Sequence, residues 1–269
     1  MTRPQLSAHD DLALILDAAR EAGALAADLR RKGLEVTYKD GDQSPLTNAD
    51  LAADKLLTER LRTARPDYGW LSEETADGSE RLDRRRLFVV DPIDGTRAFL
   101  NNRPWWSVSI AVVEDQRPIA GVVFAPQVDE TYTAIAGAGA MLNGELIQGS
   151  AATSLEDCAM VANAALFTRP SWPVPWPPMR VEQRNSTAYQ ICVVAAGTFD
   201  AALTLRKKYD WDLAAADLIA TEASCLVGDS TGQRFAYNGA NPMQANLVCA
   251  APGLAALILE RVRHIAVQP

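Results

Sequence analysis

The first third of the chain has the polar and apolar pattern of two helices joined by a loop. Apolar residues recur every three or four positions within residues 11–31, which predicts an amphipathic helix. The polar residues 39–45 interrupt this pattern and predict a loop. Thr47 then begins a second helix as its N-cap, and Asp50 stands three positions later, where an acid completes a capping box.

From about residue 87 the pattern changes to short apolar runs, which are typical of strands. These runs cover residues 87–90, 108–113, 119–124 and 131–136. The connections between them are short and turn-like, and short connections favour antiparallel pairing. This part of the chain therefore predicts a mostly antiparallel sheet.

A proline-rich segment at residues 168–180 separates this region from the rest of the chain. Its five prolines exclude a regular helix or a central strand and predict a loop. The pattern beyond it predicts a helix over residues 187–196, a strand over 201–205, and a helix over 211–223 that Asp210 caps.

The order of these elements predicts an α/β (α+β) fold in which helices and sheets form layers. The chain has 269 residues, enough to bury a large core without disulfides. We divide it into two subdomains, residues 1–150 and residues 151–269, that form one compact unit.

The charge balance limits the kinds of partner that the protein can bind. The net charge is −8, with 48% hydrophobic and 22% charged residues, an ordinary balance for a globular domain. An acidic chain is unsuited to a nucleic acid polymer, which needs a basic face. It still suits an anionic small molecule, because divalent cations can join acidic side chains to an anion.

The cysteines and the N-terminus indicate the compartment. No C-x-x-C pair occurs, and all the cysteines have small or apolar neighbours, which predicts buried thiols. They are Cys158, Cys192, Cys225 and Cys249. The chain start has no apolar signal region, and no apolar run reaches membrane-spanning length. We expect a cytoplasmic protein that does not bind membranes.

Two acids follow the apolar run at residues 87–90, and their spacing favours a shared metal site. In the segment D-P-I-D, Asp91, Asp94 and the Ile93 carbonyl can point towards one position. Carboxylate and carbonyl oxygens are the ligands that Mg²⁺ prefers. Gly95 would then let the backbone approach an anion closely.

Four further acids stand at the ends of predicted elements: Asp50, Glu73, Glu74 and Asp212. Each has an ordinary structural explanation. Asp50 can be a capping acid, Asp212 can be a first-turn acid that the helix dipole favours, and Glu73 with Glu74 can be a solvated surface pair.

Four segments together resemble the Mg²⁺-dependent, lithium-sensitive phosphomonoesterases, which include inositol monophosphatases, 3′(2′),5′-bisphosphate nucleotidases and fructose-bisphosphatases. The segments are S-P-L-T-N-A-D (44–50), S-E-E-T (72–75), D-P-I-D-G-T-R-A-F (91–99) and W-D-L-A-A-A-D (211–217). This resemblance implies a layered αβαβα sandwich that forms a homodimer. The main metal site would lie in residues 1–150, and residues 151–269 would complete it.

The resemblance also implies a role for each acid. Two or three Mg²⁺ ions would be bound by carboxylates and one carbonyl, namely those of Glu73, Asp91, Ile93, Asp94 and Asp212. Asp50 and Thr96 would orient and deprotonate the attacking water, and Glu74 would hold a further metal or its water.

Candidate substrate contacts are the positions that would face the phosphate ester: Gly95, Thr96, Arg97, Thr187 and Lys207. Animal inositol monophosphatases have a glutamate that binds inositol hydroxyls seven residues before the late metal ligand, where this chain has Leu205. The cations at residues 206–208 suit a second phosphate on the substrate, although they also fit a solvated basic turn.

The leading expectation is therefore a nucleotidase that converts 3′-phosphoadenosine 5′-phosphate to AMP and phosphate. The form of residues 39–50 resembles that branch. The tryptophans at 105, 106, 172 and 176 can stack a purine or simply pack. The segment D-G-T-R-A-F also resembles the corresponding segment of histidinol-phosphate phosphatases. Inositol-1-monophosphatase and an inactive binding homologue are the remaining alternatives.

Overall fold

The computed structural model describes residues 7–40 and 43–264. Within these ranges the α-helices are α1 (Ala8–Lys32), α2 (Asn48–Ala64), α3 (Thr96–Leu100), α4 (Thr187–Ala195), α5 (Asp210–Glu222) and α6 (Pro252–Val262). The strands of the first half are β1 (Val36–Tyr38), β2 (Pro45–Thr47), β3 (Gly69–Ser72), β4 (Arg86–Asp94), β5 (Ser107–Glu114), β6 (Arg117–Ala125), β7 (Glu130–Ile135), β8 (Ala140–Leu142) and β9 (Glu145–Ile147). Those of the second half are β10 (Ala159–Ala162), β11 (Arg180–Glu182), β12 (Ala201–Thr204), β13 (Lys208–Tyr209), β14 (Leu226–Gly228), β15 (Met243–Gln244) and β16 (Leu247–Ala250).

Two sheets form the framework. The larger has seven strands in the order β3-β4-β5-β6-β7-β8-β9, and only its first pair is parallel. The smaller has five strands in the order β11-β10-β12-β16-β14, in which β10 runs parallel to both of its neighbours. The predicted antiparallel pairing of β4, β5, β6 and β7 is confirmed.

Helices cover both sheets, so the molecule has five layers. Phe88 and Val90 of β4 face α1 and α2, whereas Val89 faces α4 and α5, which lie between the two sheets. Leu254 and Ile258 of α6 pack on the outer face of the smaller sheet. Residues on successive strand positions point to opposite faces, and both faces of β4 are covered, which explains its unbroken apolar run. The predicted layered fold is confirmed.

The largest core cluster contains residues from both halves of the chain, with Val89 and Val123 from the first half and Leu213 and Val227 from the second. Residues 168–179 contain neither helix nor strand, and the edge strand β11 follows them. The subdomain boundary near residue 150 stays a prediction. None of the described helices combines the length and apolar character that crossing a membrane needs.

The described ends of two helices differ from the prediction. Helix α1 begins at Ala8 instead of residue 11, because Ser7 and Asp10 form a capping box ahead of the apolar stripe. The prediction that Asp210 caps α5 is wrong: Asp210 is the first helical residue, and Tyr209 is the N-cap. The Asp212 carboxylate accepts the Tyr209 backbone N–H at 2.8 Å and so shifts the helix start by one residue.

Candidate active site

An irregularity at the end of β4 brings two acids together. Asp91 is paired with Ser109 of β5, and Asp94 is paired with Ser107, so three steps on β4 match two on its partner. In a regular strand, residues three apart point to opposite faces. The extra residue of the bulge cancels that reversal, and the two carboxylates can point to the same side.

A third carboxylate joins them from α5. Oxygen atoms of Asp91, Asp94 and Asp212 lie within 4.8 Å of one another. Asp91 and Asp94 are buried, whereas Asp212 is half-buried in the first turn of its helix. Three converging carboxylates, partly out of water, form a site that fits a hard divalent cation.

The hydrogen bonds of the two acids leave one buried oxygen without a donor among the described residues. Asp91 Oδ1 accepts the Ile93 N–H at 3.0 Å, but its Oδ2 is buried and has no partner among the described residues. Asp94 Oδ2 accepts the Ser186 hydroxyl and the Ala188 N–H, both at 2.6 Å. An unpaired buried carboxylate oxygen is costly, and a metal ion would compensate for it.

The electrostatics of the cluster also favour a cation. Burial raises the pKa of Asp91 well above its usual range, and the charges of Glu73 and Asp94 add to this effect. Burial and the charge of Asp212 raise the pKa of Asp94 to about 7. A bound divalent cation would supply the positive charge that keeps these carboxylates ionised.

Glu73 and Glu74 lie beside the cluster on the loop after β3. The Glu73 N–H donates to the Val90 carbonyl, which holds the loop against the end of β4. Lys39 Nζ lies 2.9 Å from carboxylate oxygens of both glutamates. Glu73 is outside the group of three converging carboxylates. Burial, with the charge of Glu73, raises the pKa of Glu74 to about 7.

The predicted water-activating pair lies together, with Asp50 in the first turn of α2 and Thr96 at the start of α3. Asp50 Oδ2 accepts the backbone N–H of Thr47 at 2.8 Å, which confirms the capping box. The Thr96 hydroxyl has two acceptors within hydrogen-bonding distance, Asp50 Oδ1 at 3.4 Å and the Ile93 carbonyl at 3.2 Å. Burial raises the pKa of Asp50.

Gly95 is required by both its backbone angle and its neighbours. Its φ is +93°, in the left-handed region that side chains disfavour. A Cβ at this position would lie 3.0 Å from Ser186 N and 3.1 Å from Trp105 O. The contact fixes the α4 start against the end of β4, next to Asp94.

The candidate substrate contacts are only partly brought to this region. Thr187 is buried at the start of α4, one residue before the Ala188 N–H that holds Asp94. Its hydroxyl accepts a hydrogen bond from Lys208. Lys207 and Arg97 are exposed. The structure thus brings Lys208 instead of Lys207 to Thr187, and a substrate role for Lys207 and Arg97 stays a prediction.

Two of the four tryptophans considered for stacking are buried in the interior. Trp106 is completely buried against Phe99, and Trp172 is 7% exposed against Trp176 in the cluster under α6. Neither ring is accessible to a purine. Trp105 packs against the main core, with the Arg184 guanidinium 4.0 Å above its ring.

Sequence reasoning misses two residues that shape the site. The sequence indicates Lys39 only as part of a motif, although its ammonium forms salt bridges with both Glu73 and Glu74. Ser186 lies outside every motif, although it is the N-cap of α4 and donates to Asp94. Its place just before the predicted helix at residue 187 is the signal that could have identified it.

The chain is similar to known proteins along nearly its whole length. A model of the inositol monophosphatase family matches residues 9–266. Inositol monophosphatase 2 of Solanum lycopersicum is 32% identical over 233 residues, which cover 82% of this chain and 87% of the relative. The Nus factor SuhB of Pasteurella multocida is 31% identical over 94% of this chain and 95% of its own. The solved structure of a Thermotoga maritima IMPase has a TM-score of 0.79 at 28% identity and covers 94% of this chain and 97% of that one.

Proposed function

The chain belongs to the inositol monophosphatase family, and we propose that it is a Mg²⁺-dependent enzyme acting on small phosphate monoesters. Membership makes it a phosphoric monoester hydrolase. The observation that best supports the metal is the convergence of three carboxylates, one of which, Asp91, has a buried oxygen without a partner among the described residues. Because these candidate ligands are all oxygens, with no cysteine or histidine, a hard cation such as Mg²⁺ is favoured over zinc.

Some of the acids would bind the metal, and Asp50 would take part in proton transfer. Asp91, Asp94 and Asp212 would hold Mg²⁺, with Glu73 and the Ile93 carbonyl completing the ligand set. When bound there, Mg²⁺ supplies positive charge that makes water more acidic and offsets the charge of the phosphate. This metal chemistry would leave orientation of the water to the protein.

Thr96 and Asp50 are the candidates for orienting the water. Thr96 would accept a hydrogen bond from the water and donate its own hydrogen to Asp50, whose Oδ1 already lies 3.4 Å away. Gly95 and Thr96 would contact the phosphate, and Glu74 would hold a further cation or its water. These roles are the ones that the resemblance to the family implies.

The proposal is tested by phosphate release from three esters: inositol 1-phosphate, histidinol phosphate and 3′-phosphoadenosine 5′-phosphate. Each is assayed with Mg²⁺, with EDTA, and with Mg²⁺ plus Li⁺. We expect Mg²⁺-dependent release that Li⁺ inhibits.

Asp94→Asn should lose activity by orders of magnitude, whereas the matched control Asp217→Asn should keep it. Asp217 is also buried, but it binds Tyr237 and Thr221 instead of the cluster. Failure to hydrolyse any ester would favour an inactive binding homologue.

A substrate with a second phosphate is a candidate because of Lys208. Its ammonium is part-buried, donates to the neutral hydroxyl of Thr187, and attracts the charge of Asp94. Within the described part of the chain, Lys208 forms no salt bridge. A part-buried ammonium beside a phosphatase site favours a second anionic group on the substrate. This observation supports a bisphosphate nucleotidase over an enzyme that acts only on monophosphates.

The second phosphate is tested with Lys208→Met and the control Lys55→Met, an exposed lysine of α2. The substrates are 3′-phosphoadenosine 5′-phosphate and adenosine 3′-phosphate, which differ only in the 5′-phosphate. Lys208→Met should raise KM for the bisphosphate alone, and Lys55→Met should change neither. An equal loss on both substrates would reject this role. A homodimer stays a prediction that light scattering can check.

A further inference from the structure

Arg81 is a buried arginine outside the groups considered so far. It lies in a short 3₁₀ turn, Ser79–Asp83, and is only 2% exposed. Its Nε and Nη2 donate to the two carboxylate oxygens of Asp77 at 2.6 and 2.8 Å. Its Nη1 donates to Asn238 Oδ1 at 2.7 Å, and Nη2 also donates to the Gly239 carbonyl at 3.0 Å. A buried guanidinium is tolerated because its donors are satisfied in this way.

These contacts connect two segments that carry candidate metal ligands. Asp77 lies three residues after Glu74, on the loop that follows β3. Asn238 donates its backbone N–H to Asp210 Oδ2 at 3.0 Å, and Asp210 is the first residue of α5, two before Asp212. Gln244 donates to the other oxygen of Asp210 at 2.8 Å. We call the chain of contacts through Asp77, Arg81, Asn238 and Asp210 the Arg81 latch.

The Arg81 latch connects two parts of the site that the other contacts do not join. We call the segment after β3 that carries Glu73 and Glu74 the Glu73 loop. The Glu73 N–H donates to the Val90 carbonyl of β4, and Asp54 supports the loop through the hydroxyls of Ser72 and Thr75. None of these contacts reaches α5. The Arg81 latch does so, because it joins the loop of Glu73 and Glu74 to the helix start that presents Asp212.

We propose that Arg81 is a positioning residue that fixes the Glu73 loop relative to Asp212 and thereby sets the affinity of the site for divalent metal. The inference rests on the proposed function only in that these acids bind metal. Residues behind metal ligands commonly change metal affinity by about 10- to 100-fold when they are removed. The guanidinium acts through its hydrogen bonds, so a side chain of similar length without donors should lose the effect.

The experiment measures Mg²⁺ binding by titration calorimetry on the purified full-length protein, without substrate. Arg81→Met should weaken Mg²⁺ binding by about tenfold or more. Arg81→Lys keeps the positive charge but not the two nitrogens that bond both oxygens of Asp77. Its Mg²⁺ affinity should therefore fall between those of Arg81→Met and the wild type. With saturating Mg²⁺, phosphate release by Arg81→Met should recover most of the wild-type kcat, because no reacting group is altered.

The matched control is Arg65→Met. Arg65 is also a mostly buried arginine, 2.9 Å from the buried Asp11, but it is the C-cap of α2, 15 residues beyond Asp50 and about 22 Å along the helix axis. Both variants should lower the melting temperature in EDTA, and only Arg81→Met should weaken Mg²⁺ binding. Equal weakening in both variants, or unchanged binding in Arg81→Met, would overturn the proposal.

A second variant covers the case in which Arg81→Met does not fold. Asn238→Ala keeps the pair of Arg81 and Asp77 and the contact of Arg81 with the Gly239 carbonyl. It removes the amide that accepts from Arg81 Nη1 and donates to the Arg81 carbonyl. It should therefore weaken Mg²⁺ binding, by less than Arg81→Met, and wild-type binding by it would reject the latch. Absence of Mg²⁺ binding by the wild-type protein would reject the proposed metal site itself, which distinguishes the two failures.

Discussion

The hydroxyl of Ser186 donates to Asp94 Oδ2 at 2.6 Å, although the two residues are 92 positions apart in the sequence. Ser186 also caps α4 by accepting the Tyr189 N–H. Since a hydroxyl carries one hydrogen, which Asp94 receives, Ser107 must donate to Ser186 in their 2.9 Å contact. One serine therefore joins the start of α4 to the acid on β4.

Replacement of Ser186 by alanine should affect both stability and metal binding. Loss of the N-cap should cost about 1 kcal/mol of unfolding free energy. Loss of a donor to Asp94 should weaken Mg²⁺ binding by about fivefold, the equivalent of about 1 kcal/mol for one hydrogen bond. Thermal unfolding in EDTA measures the first effect, and Mg²⁺ titration measures the second.

The control for Ser186 is Ser7→Ala, which removes the corresponding cap of α1, where Ser7 accepts the Asp10 N–H. It should lower stability by a similar amount and leave Mg²⁺ binding unchanged. A Ser186→Ala protein that binds Mg²⁺ as tightly as Ser7→Ala would show that this hydrogen bond does not support the ligand.

Asp91→Asn should separate stability from metal binding. The neutral amide keeps an acceptor for the Ile93 N–H and removes a buried charge that lies close to Asp94 and Asp212. In EDTA the variant should melt at or above the wild-type temperature. At about 100 times Kd, Mg²⁺ should add about 2.7 kcal/mol to the wild-type stability and much less to the variant. A variant that gains as much from Mg²⁺ as the wild type would rule out Asp91 as a ligand.

Gly95→Ala should be more damaging than an ordinary glycine substitution. The left-handed backbone costs a residue with a side chain about 1–2 kcal/mol, and the added Cβ would press on the Ser186 backbone, 3.0 Å away. Gly137→Ala is a matched control, since Gly137 has a φ of +77° and a Cβ added to it would meet no atom within 4 Å. Urea unfolding should show a larger loss for Gly95→Ala. Equal losses in the two variants would mean that the close approach to Ser186 is not restrictive.

Local patterns in the sequence are sufficient to predict part of the site. Thr47 and Asp50 form a capping box within three residues, and D-P-I-D places its acids on one short segment. The layers follow from the alternation of helical and strand patterns. These features depend on neighbours in the sequence, so their physical causes are visible there.

The site residues that the sequence does not predict depend on contacts between distant segments. Lys39 is 34 positions from Glu73, and Arg81 is 157 positions from Asn238. Neither residue has a local pattern that identifies its partner. The choice between Lys207 and Lys208 also depends on β13, which begins at Lys208 and leaves Lys207 in the connection before it. The sequence shows two equivalent lysines, and only the pairing of β13 with β15 distinguishes them.

Leu205→Glu tests whether this chain can acquire the glutamate of inositol monophosphatases. In the structure Leu205 packs, partly buried, against the core under α6. A carboxylate there should lower the unfolding free energy by about 1–3 kcal/mol, because it loses water without gaining a partner. Turnover of inositol 1-phosphate should therefore not improve. Leu205→Met keeps the apolar contact and should cost less than about 1.5 kcal/mol. Denaturant unfolding and kcat/KM for inositol 1-phosphate check both variants, and a stable Leu205→Glu protein with improved kcat/KM would mean that this position faces the substrate.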